Sequence, residues 1–561
     1  MLIGGSELTG RAWDICVVGT GPVGMALALE LDRLGCEVLM IESGGVAIDP
    51  SMQQASHATI VDSRRHAPME LAVCRALGGT SWTWGGRSVP YDDVDWMDRE
   101  FVPEGHWPLT HREIRPWYKR AAEILLCGDD TFEIPFRRPL THGLTLDFVE
   151  RWASESKVVL AHREKLIKSE QVKISLKTTL TALIFSQNGR RVEGVRVHTD
   201  DGPLEVKATQ TVLAMGGVET TRFLLGVQRS RPELFGGAAG ALGRFYMGHL
   251  SGKIASIVFN DPKSSADLDF KLDESGFYYR RRFLLDSDTQ IRHRVLNTAF
   301  WPDNPPFYDP GHRSGVLSGV FLALAFPPTG RRLLSEPIRL AHTGPRPYQL
   351  GAHLKNAILG APAGALDTWR ILRDRFLRRP RKPGFLVPNR GGKYALHYHA
   401  EQVPQAESRI TIGADTDAFG TPRAVIDLRF CDQDVESVIT SHRLLDEALR
   451  ANNIGRLDYF HPPEELPGRV YAQAADGFHQ VGSTRMGANP ATSVVDRNLS
   501  AHSLENLYVA SSSVFPASGQ ANSTLLAVAF ALRLAHYLLR PRSEAEGEAR
   551  KSRTNTATTA V

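Results

Sequence analysis

A histidine and an asparagine near the end of the chain are the side chains best suited to chemistry. His479 stands just before a Gly-Ser-Thr-Arg-Met-Gly turn, and Asn522 lies in the loop that precedes a long apolar segment. Near pH 7 a neutral imidazole can accept a proton, and a carboxamide can orient a hydroxyl or stabilise developing negative charge. Each residue alone also has a structural explanation, because a histidine often forms hydrogen bonds within a turn and an asparagine often caps a helix.

The N-terminal part of the chain predicts a βαβ unit. An apolar strand runs into a turn with Gly19, Gly21 and Gly24, an amphipathic helix follows, and a second apolar strand ends at Glu42. The glycines suit a tight turn, close approach to a pyrophosphate and close packing of helix on strand, while the carboxylate can bind a ribose. NAD and FAD share this fingerprint, so the motif leaves the nucleotide open.

Two later segments extend the predicted nucleotide-binding part. Residues 75–90 contain four glycines and two tryptophans, so they cannot form a regular helix. Strands are predicted at 174–185, 192–197 and 210–215, and the last of them runs into Gly216 before a helix. An open α/β sheet binds its ligand at the ends of such strands.

Length and composition limit the possible function. A chain of 561 residues indicates two or more structural units, and a net charge of +4 gives no strong field for nucleic acid. The five cysteines form no C-x-x-C pair and no zinc or iron–sulfur spacing, which favours a reducing compartment. Without a recognisable signal peptide or an apolar run long enough to span a bilayer, a cytoplasmic location is expected.

Together these motifs resemble those of the glucose-methanol-choline (GMC) oxidoreductases, flavoenzymes that oxidise alcohols. The resemblance covers His479 before a Gly-x-x-Arg-Met-Gly turn, Asn522 in the second catalytic loop, the segment 75–90, and the sequence ALGRFYMGH at 241–249. An asparagine at the second catalytic position is similar to the branch that contains pyranose 2-oxidase and related sugar dehydrogenases. The resemblance implies that His479 and Asn522 form the catalytic pair.

The resemblance also implies bound FAD and a set of residues that contact it. In the pyranose oxidase branch a histidine of the second loop bonds covalently to the flavin, but that position here is Thr83 or Trp82, which implies non-covalent FAD. Ser511 and Ser523 stand where the family commonly has Asp and Pro. The residues assigned to the cofactor are Gly19, Gly21, Gly24, Glu42, Gly78, Gly79, Thr80, Ser81, Trp84, Gly85, Gly86, Ala214, Gly216, Glu219, Ser511, Ser523 and Thr524.

The expected fold class is α/β, with a Rossmann-like FAD-binding domain built from discontinuous segments and a substrate domain with an antiparallel sheet covered by helices. The FAD-binding segments are predicted at 11–250, including a lid-like part at 90–120, and at 471–540. The substrate domain is predicted at 251–470. The polar, Thr-rich residues 541–561 are predicted to form a disordered tail.

Two features of the middle segment have open interpretations. A predicted strand places His397 and His399 on one face and Tyr398 on the other, so the histidines could contact a polyol or serve only the structure. Residues 369–383 are basic and amphipathic. Such a segment can lie on a membrane surface or contact a partner, or it can be a solvated helix face.

The resemblance implies an FAD-dependent oxidoreductase that acts on CH–OH donors. With His479 as base, it would oxidise a secondary alcohol of a sugar or glycoside to a ketone and pass the hydride to the flavin. We expect a dehydrogenase with an external electron acceptor rather than an oxidase. Two alternatives remain: a non-sugar alcohol as substrate, and a non-redox, lyase-type enzyme of the same fold that uses bound FAD.

Overall fold

The computed structural model describes residues 1–333, 342–344, 346–389 and 391–540, so the predicted tail at 541–561 lies outside the described residues. The described strands are β1 (Ala12–Val18), β2 (Val38–Ile41), β3 (Thr59–Ile60), β4 (Arg87–Ser88), β5 (Leu144–Thr145), β6 (Val149–Trp152), β7 (Val172–Ser175), β8 (Thr179–Phe185), β9 (Val192–Thr199), β10 (Gly202–Leu213), β11 (His249–Phe259), β12 (Lys271–Leu272), β13 (Tyr278–Arg281), β14 (Leu284–Leu285), β15 (Thr298–Asp303), β16 (Lys393–Glu401), β17 (Arg409–Thr416), β18 (Pro422–Asp427), β19 (Gly455–Tyr459) and β20 (Leu507–Val509). The described α-helices are α1 (Gly5–Thr9), α2 (Pro22–Arg33), α3 (Pro50–Gln53), α4 (Met69–Ala72), α5 (His111–Ile114), α6 (Tyr118–Ile124), α7 (Val158–Lys168), α8 (Gly217–Ser230), α9 (Ser287–His293), α10 (Gly315–Ala325), α11 (Pro327–Leu333), α12 (Leu350–Leu372), α13 (Asp432–Ala451), α14 (Leu466–Gln473) and α15 (Thr524–Leu538).

A seven-stranded sheet organises the nucleotide-binding part. Its order is β7-β2-β1-β10-β9-β8, and β20 pairs with the end of β10. The pairs among β7, β2, β1, β10 and β20 are parallel, whereas β9 is antiparallel to both of its neighbours. The last four residues of β1 and all of β2 are buried, as expected for parallel strands covered on both faces. The carboxyl ends of the parallel strands meet at one edge of the sheet.

The predicted strand at 174–185 is wrong in its continuity, because β7 and β8 are two strands. Between them Lys177 has a left-handed backbone, with φ of 51°, and its amide donates to the carbonyl oxygen of Gly44. This turn lets β7 pair with β2 while β8 pairs with β9. This turn contains neither glycine nor proline, so no residue in it marks a break between two strands.

The last helix completes the core of this part. Helix α2 packs on β2 and β7, and α15 packs on α2. Eleven of the fifteen residues of α15 are buried. A helix that is apolar nearly all round must be enclosed by other elements, so α15 is built into the nucleotide-binding part.

A four-stranded antiparallel sheet, of order β15-β16-β11-β19, forms the centre of the half that was predicted to bind substrate. Tyr398 points toward α13 and packs against His442, with ring centroids 5.3 Å apart. His397 and His399 lie on the opposite face, as predicted, and the His399 ring centroid is 5.6 Å from that of His479. One face of the sheet is therefore covered by helix, and the other faces the candidate catalytic histidine.

Smaller sheets connect the two halves. Strands β4 and β6 join β13 and β12, and β3 pairs with β18. Elements from the first 250 residues thus pair with elements of the middle segment. The domain boundaries inferred from the sequence stay predictions.

Helices α10 and α12 form a hairpin. They cross where Gly315 meets Gly360, since a Cβ atom on Gly315 would lie 2.9 Å from the Gly360 Cα. The His353 ring stacks on Phe321, with centroids 3.9 Å apart, and its Nδ1 lies 3.1 Å from the hydroxyl oxygen of Ser318. Within the described part of the chain, no helix is long and apolar enough to cross a membrane.

Candidate active site

The turn after β1 brings bare backbone segments together. Gly19 has φ of 104°, and a Cβ atom there would lie 2.5 Å from the carbonyl oxygen of Ala214. A Cβ atom on Gly79 would lie 2.8 Å from the Cα of Gly21. Because no side chain separates these segments, the turn has the close backbone approach that a dinucleotide pyrophosphate requires.

A cleft of about 450 Å³ opens along this edge of the sheet, within the usual range for a cofactor site. The predicted residues that line it are Gly19, Gly21, Glu42, Gly79, Thr80, Trp84, Gly85, Ala214, Gly216, Glu219, His479, Ser511, Asn522, Ser523 and Thr524. Gly24, Gly78, Ser81 and Gly86 are not part of this lining. The Ser81 hydroxyl donates to the carbonyl oxygen of Gly78, so it supports the loop, and cofactor contact by these four stays a prediction.

Glu42 directly follows the end of β2 and lines the cleft. Its Oε2 accepts hydrogen bonds from the amide and the hydroxyl of Thr20, at 3.1 and 2.7 Å, and its Oε1 accepts from the amide of Gly44 at 2.8 Å. Burial raises the pKa of Glu42, although these hydrogen bonds oppose the rise. The carboxylate is held at the place where the sequence predicted a ribose contact.

Arg75 and Arg222 line the cleft but were missed by the sequence analysis. Both guanidinium groups donate to Glu219, and Arg222 also donates to Asp417 at 3.0 Å. Burial disfavours the Glu219 carboxylate, but Arg222 and Arg75 hold its pKa below the ordinary value. The two arginines balance the two carboxylates, so this group of side chains has no net charge. Arg222 and Asp417 belong to no motif that would have marked them.

The structure brings His479 and Asn522 together. The Nε2 atom of His479 lies 2.7 Å from the Nδ2 atom of Asn522, and both residues line the same cleft. His479 precedes the turn at Gly482, which has φ of 89° and whose Cβ atom would lie 2.0 Å from the carbonyl oxygen of Phe245. Asn522 is held by the loop that starts the buried helix α15. Two rigid supports therefore fix the pair.

Asp476 orients His479 and was also missed by the sequence analysis. Its Oδ2 lies 2.9 Å from His479 Nδ1 and accepts the amide of His249 at 2.7 Å, while its Oδ1 accepts the amides of Phe478 and His479. Burial would raise the pKa of Asp476, but His479 and His249 hold it well below its ordinary value. An ionised acceptor keeps the proton of His479 on Nδ1. The lone pair is then on Nε2, where Asn522 donates to it.

Two further histidines lie beside this pair. The ring centroids of His249 and His399 are 4.5 and 5.6 Å from that of His479, and one nitrogen of each of the three rings lies within 4.8 Å of the others. Burial lowers the pKa of His249 and lowers that of His399 further, and the neighbouring imidazoles add to both shifts. Both rings are therefore neutral at pH 7. His249, the last residue of the segment 241–249, belongs to this cluster.

His397, the other predicted substrate contact, lies outside the lining of the cleft. It stacks on Trp301, with centroids 4.5 Å apart. Burial lowers its pKa to about 3, with a further contribution from Lys253. His399 contacts the candidate catalytic histidine, whereas the contact of His397 with substrate stays a prediction.

Known proteins share both the motifs and the architecture. Residues 12–66 match the family described as FAD binding domain, and residues 404–531 match the family described as GMC oxidoreductase. Paromamine 6'-oxidase from Streptomyces fradiae is 33% identical over 578 residues, which cover 94% of this chain and 91% of that protein. The chain belongs to the GMC oxidoreductase family.

Two other comparisons agree with membership of the GMC family. 2-Methyl-1,2-propanediol dehydrogenase from Mycolicibacterium austroafricanum is 21% identical over 601 residues, which cover 94% of this chain and 95% of that protein. The crystal structure of formate oxidase has a TM-score of 0.51 at 16% identity and covers 94% of this chain and 98% of that chain. The latter shows the fold, and the predicted α/β class is confirmed.

As a GMC oxidoreductase, the protein is an FAD-dependent alcohol oxidoreductase. The cleft fits this cofactor, because the Gly21–Gly79 approach suits its diphosphate and Glu42 suits its ribose. Ser523 and Thr524 line the cleft where α15 begins, so the positive end of that helix dipole faces into the site. The described residues therefore provide the backbone cradle, the carboxylate and the helix end that FAD requires.

Gly24 is the glycine whose replacement tests this cradle. A Cβ atom there would lie 2.1 Å from the carbonyl oxygen of Gly19 and 3.2 Å from the Ala214 Cβ. We expect Gly24→Ala to cost about 1–3 kcal/mol of folding free energy, as overpacking does, and to lower FAD retention. Thermal unfolding and visible absorbance of the purified protein measure both. The matched control is Gly468→Ala in α14, where an added Cβ atom has no neighbour within 4 Å. Equal FAD content in the two variants would contradict the prediction.

Proposed function

We propose that this GMC oxidoreductase oxidises a secondary alcohol of a sugar or glycoside to a ketone, with His479 as the catalytic base. The observation that carries the proposal is the hydrogen-bonded series Asp476–His479–Asn522 at the cleft wall. Asp476 fixes the proton on Nδ1, so Nε2 can accept the proton of a substrate hydroxyl. General-base catalysis of this kind contributes about 10²–10⁴-fold to a rate.

Each side chain of this series has a separate task. A substrate hydroxyl beside Nε2 donates to His479, while the Asn522 amide donates to the same oxygen and stabilises developing alkoxide charge. Asp476 stabilises the imidazolium that forms. Because His249 and His399 are neutral, these two rings add no positive charge that would oppose that protonation. Bound FAD supplies the acceptor for the hydride that leaves the carbinol carbon.

The substrate class rests on two kinds of support. The His–Asn pair is similar to that of the sugar-oxidising branch, and the 33% identical relative is named for oxidation of paromamine, an amino sugar glycoside. The name of that relative refers to the 6' position, which in a hexopyranose is the exocyclic primary carbon. Oxidation of that primary alcohol is therefore the second candidate.

We further propose that FAD is held without a covalent bond and that an external acceptor reoxidises it. The Trp82 indole donates to the carbonyl oxygen of Leu77, and Thr83 donates to that of Thr80, so neither provides the imidazole found in the covalent branch. Cys74 also lines the cleft, but burial raises its pKa to about 11 and disfavours the nucleophilic thiolate. Release of free FAD on acid denaturation would support non-covalent binding, and a flavin that stays with the precipitate would contradict it.

The test of the proposed function is anaerobic reduction of the bound flavin by a matched pair of glycosides. Methyl glucopyranoside carries ring hydroxyls and an exocyclic primary hydroxyl, whereas methyl xylopyranoside carries only ring hydroxyls. We expect both to bleach the flavin band at about 450 nm, a wavelength set by the cofactor. Reoxidation of the reduced protein by a quinone or a dye, but only slowly by oxygen, would identify a dehydrogenase.

The other outcomes distinguish the alternatives. Bleaching by the glucoside alone would favour the primary carbon of the second candidate. Bleaching only by 2-methyl-1,2-propanediol, the substrate that names the Mycolicibacterium relative, would replace the sugar with a simple diol. A flavin that every alcohol leaves oxidised would contradict alcohol oxidation by this protein and favour the lyase-type alternative.

A further inference from the structure

Helix α12 carries large apolar side chains on the side that faces solvent. Ile358, Leu359 and Trp369 are 64%, 71% and 56% exposed. At about 100° per residue, they share one half of the helix with the other exposed apolar residues of α12. Those other residues are Leu350, Leu354, Leu366 and Leu372.

The opposite half of α12 makes the intramolecular contacts. It carries Gly360 at the crossing with α10, His353 stacked on Phe321, and Asn356, whose amide donates to the carbonyl oxygen of Pro310. A surface helix normally turns its apolar side inward and its polar side to water. Here the small and polar residues face the neighbouring helix, and the leucines and the tryptophan face outward. Contiguous apolar surface of this kind marks an interaction site.

A basic segment adjoins this apolar face. Residues 350–383 contain eight Lys and Arg against two Asp, whereas the rest of the chain has 58 Lys and Arg against 60 Asp and Glu. Arg378, Arg379 and Arg381 are exposed, and among the described residues they form no ion pair. The positive charge of the protein is therefore concentrated beside the apolar face of α12.

We propose that the hairpin of α10 and α12, together with residues 373–383, binds the surface of an anionic lipid membrane. The apolar face of α12 enters the boundary between headgroups and acyl chains, and the arginines bind the phosphates. Binding of this type grows with buried apolar area and with attraction to anionic lipids. The helix lies on the membrane and does not cross it, which agrees with the lack of a spanning helix among the described residues.

Charge favours a lipid surface over a second copy of the chain. A second copy would bring another cluster of arginines to the same interface, and like charges at an interface oppose association. The apolar half of α12 also presents no carboxylate that could pair with those arginines. An anionic membrane provides both the apolar layer and the counter-charge.

Vesicle sedimentation of the full chain with bound FAD tests this proposal. We expect binding to vesicles of phosphatidylcholine mixed with phosphatidylglycerol, weaker binding to phosphatidylcholine alone, and loss of the difference at high salt, because salt screens the charges. Ile358→Glu and Leu359→Glu should each weaken binding about tenfold, and the triple change of Arg378, Arg379 and Arg381 to Glu should abolish the preference for anionic vesicles. The matched control is Leu160→Glu, which changes a 44% exposed leucine of α7.

The variants should keep the melting temperature, flavin absorbance and turnover of the unchanged protein, because the substituted side chains face solvent. Absence of binding to anionic vesicles would overturn the proposal, and so would binding that Ile358→Glu and Leu359→Glu leave unchanged. Light scattering in detergent-free buffer provides the remaining outcome. A dimer that the same two variants convert to a monomer would assign the face to a second copy and overturn the lipid proposal.

Discussion

Replacement of His479 by alanine is expected to stop alcohol-dependent reduction of the flavin while FAD stays bound. The variant removes the Nε2 atom that lies 2.7 Å from Asn522, but it leaves the glycine cradle and Glu42 unchanged. We expect the rate of flavin reduction to fall by about 10²–10⁴-fold, the range for loss of a general base. Anaerobic stopped-flow absorbance measures this rate directly, without any contribution from the electron acceptor.

A second histidine variant separates this effect from a general loss of structure. His162→Ala removes a half-buried imidazole that bonds to the carbonyl oxygen of Ile124, far along the chain from the pair, and should reduce the flavin at the unchanged rate. Both assays should contain a chelator, because the three clustered imidazoles are close enough to hold a divalent metal ion. If His479→Ala kept the original rate, the base would have to be another group.

Replacement of Asp476 by asparagine should have an effect nearly as large. Asparagine would present an amide N–H to Nδ1, so the imidazole would carry its proton on Nε2 and could not accept one from substrate. Loss of a carboxylate that sets the tautomer costs about 10⁴-fold in the serine protease triad, and we expect about 10²–10⁴-fold here.

The structural contribution of Asp476 can be measured separately. Because its pKa is lowered in the folded protein, the stability it contributes is present at neutral pH and is lost only as the pH falls through that lowered value. Asp434→Asn is the matched control, since Asp434 is buried, accepts the amides of Val403 and Cys431, and has a pKa raised to about 7 by burial. The control should alter the melting temperature but not the rate of flavin reduction. An unchanged rate of flavin reduction in Asp476→Asn would leave that residue only a structural role.

The sequence predicted the parts of the site that depend on local chain geometry. The turn from Gly19 to Gly24 and the acid at Glu42 need only a strand, a helix and a second strand in order. His479 and Asn522 were also predicted, since each is set in a recognisable loop. In these cases neighbouring residues in the sequence define the environment of the functional group.

The parts that were missed depend on distant contacts. Asp476 lies three residues before His479, but its role follows from burial and from the amide of His249, 227 residues away. The position of the Arg222 guanidinium group likewise depends on its hydrogen bond to Asp417, which lies 195 residues away in the sequence. The turn at Lys177 was missed because tertiary pairing of β7 and β8 with different strands, rather than glycine or proline, produces it. No local pattern contains this information.

Chain order has a consequence for how the protein matures. Strand β20 pairs with β10, and α15 covers α2, so the first and the last elements of the nucleotide-binding part close against each other. When only the first 500 residues have been synthesised, the chain contains α2 but neither α15, which packs on it, nor Asn522. The pocket formed by the described residues is therefore complete only after α15 has left the ribosome, and we expect FAD to reach its finished site only after that point.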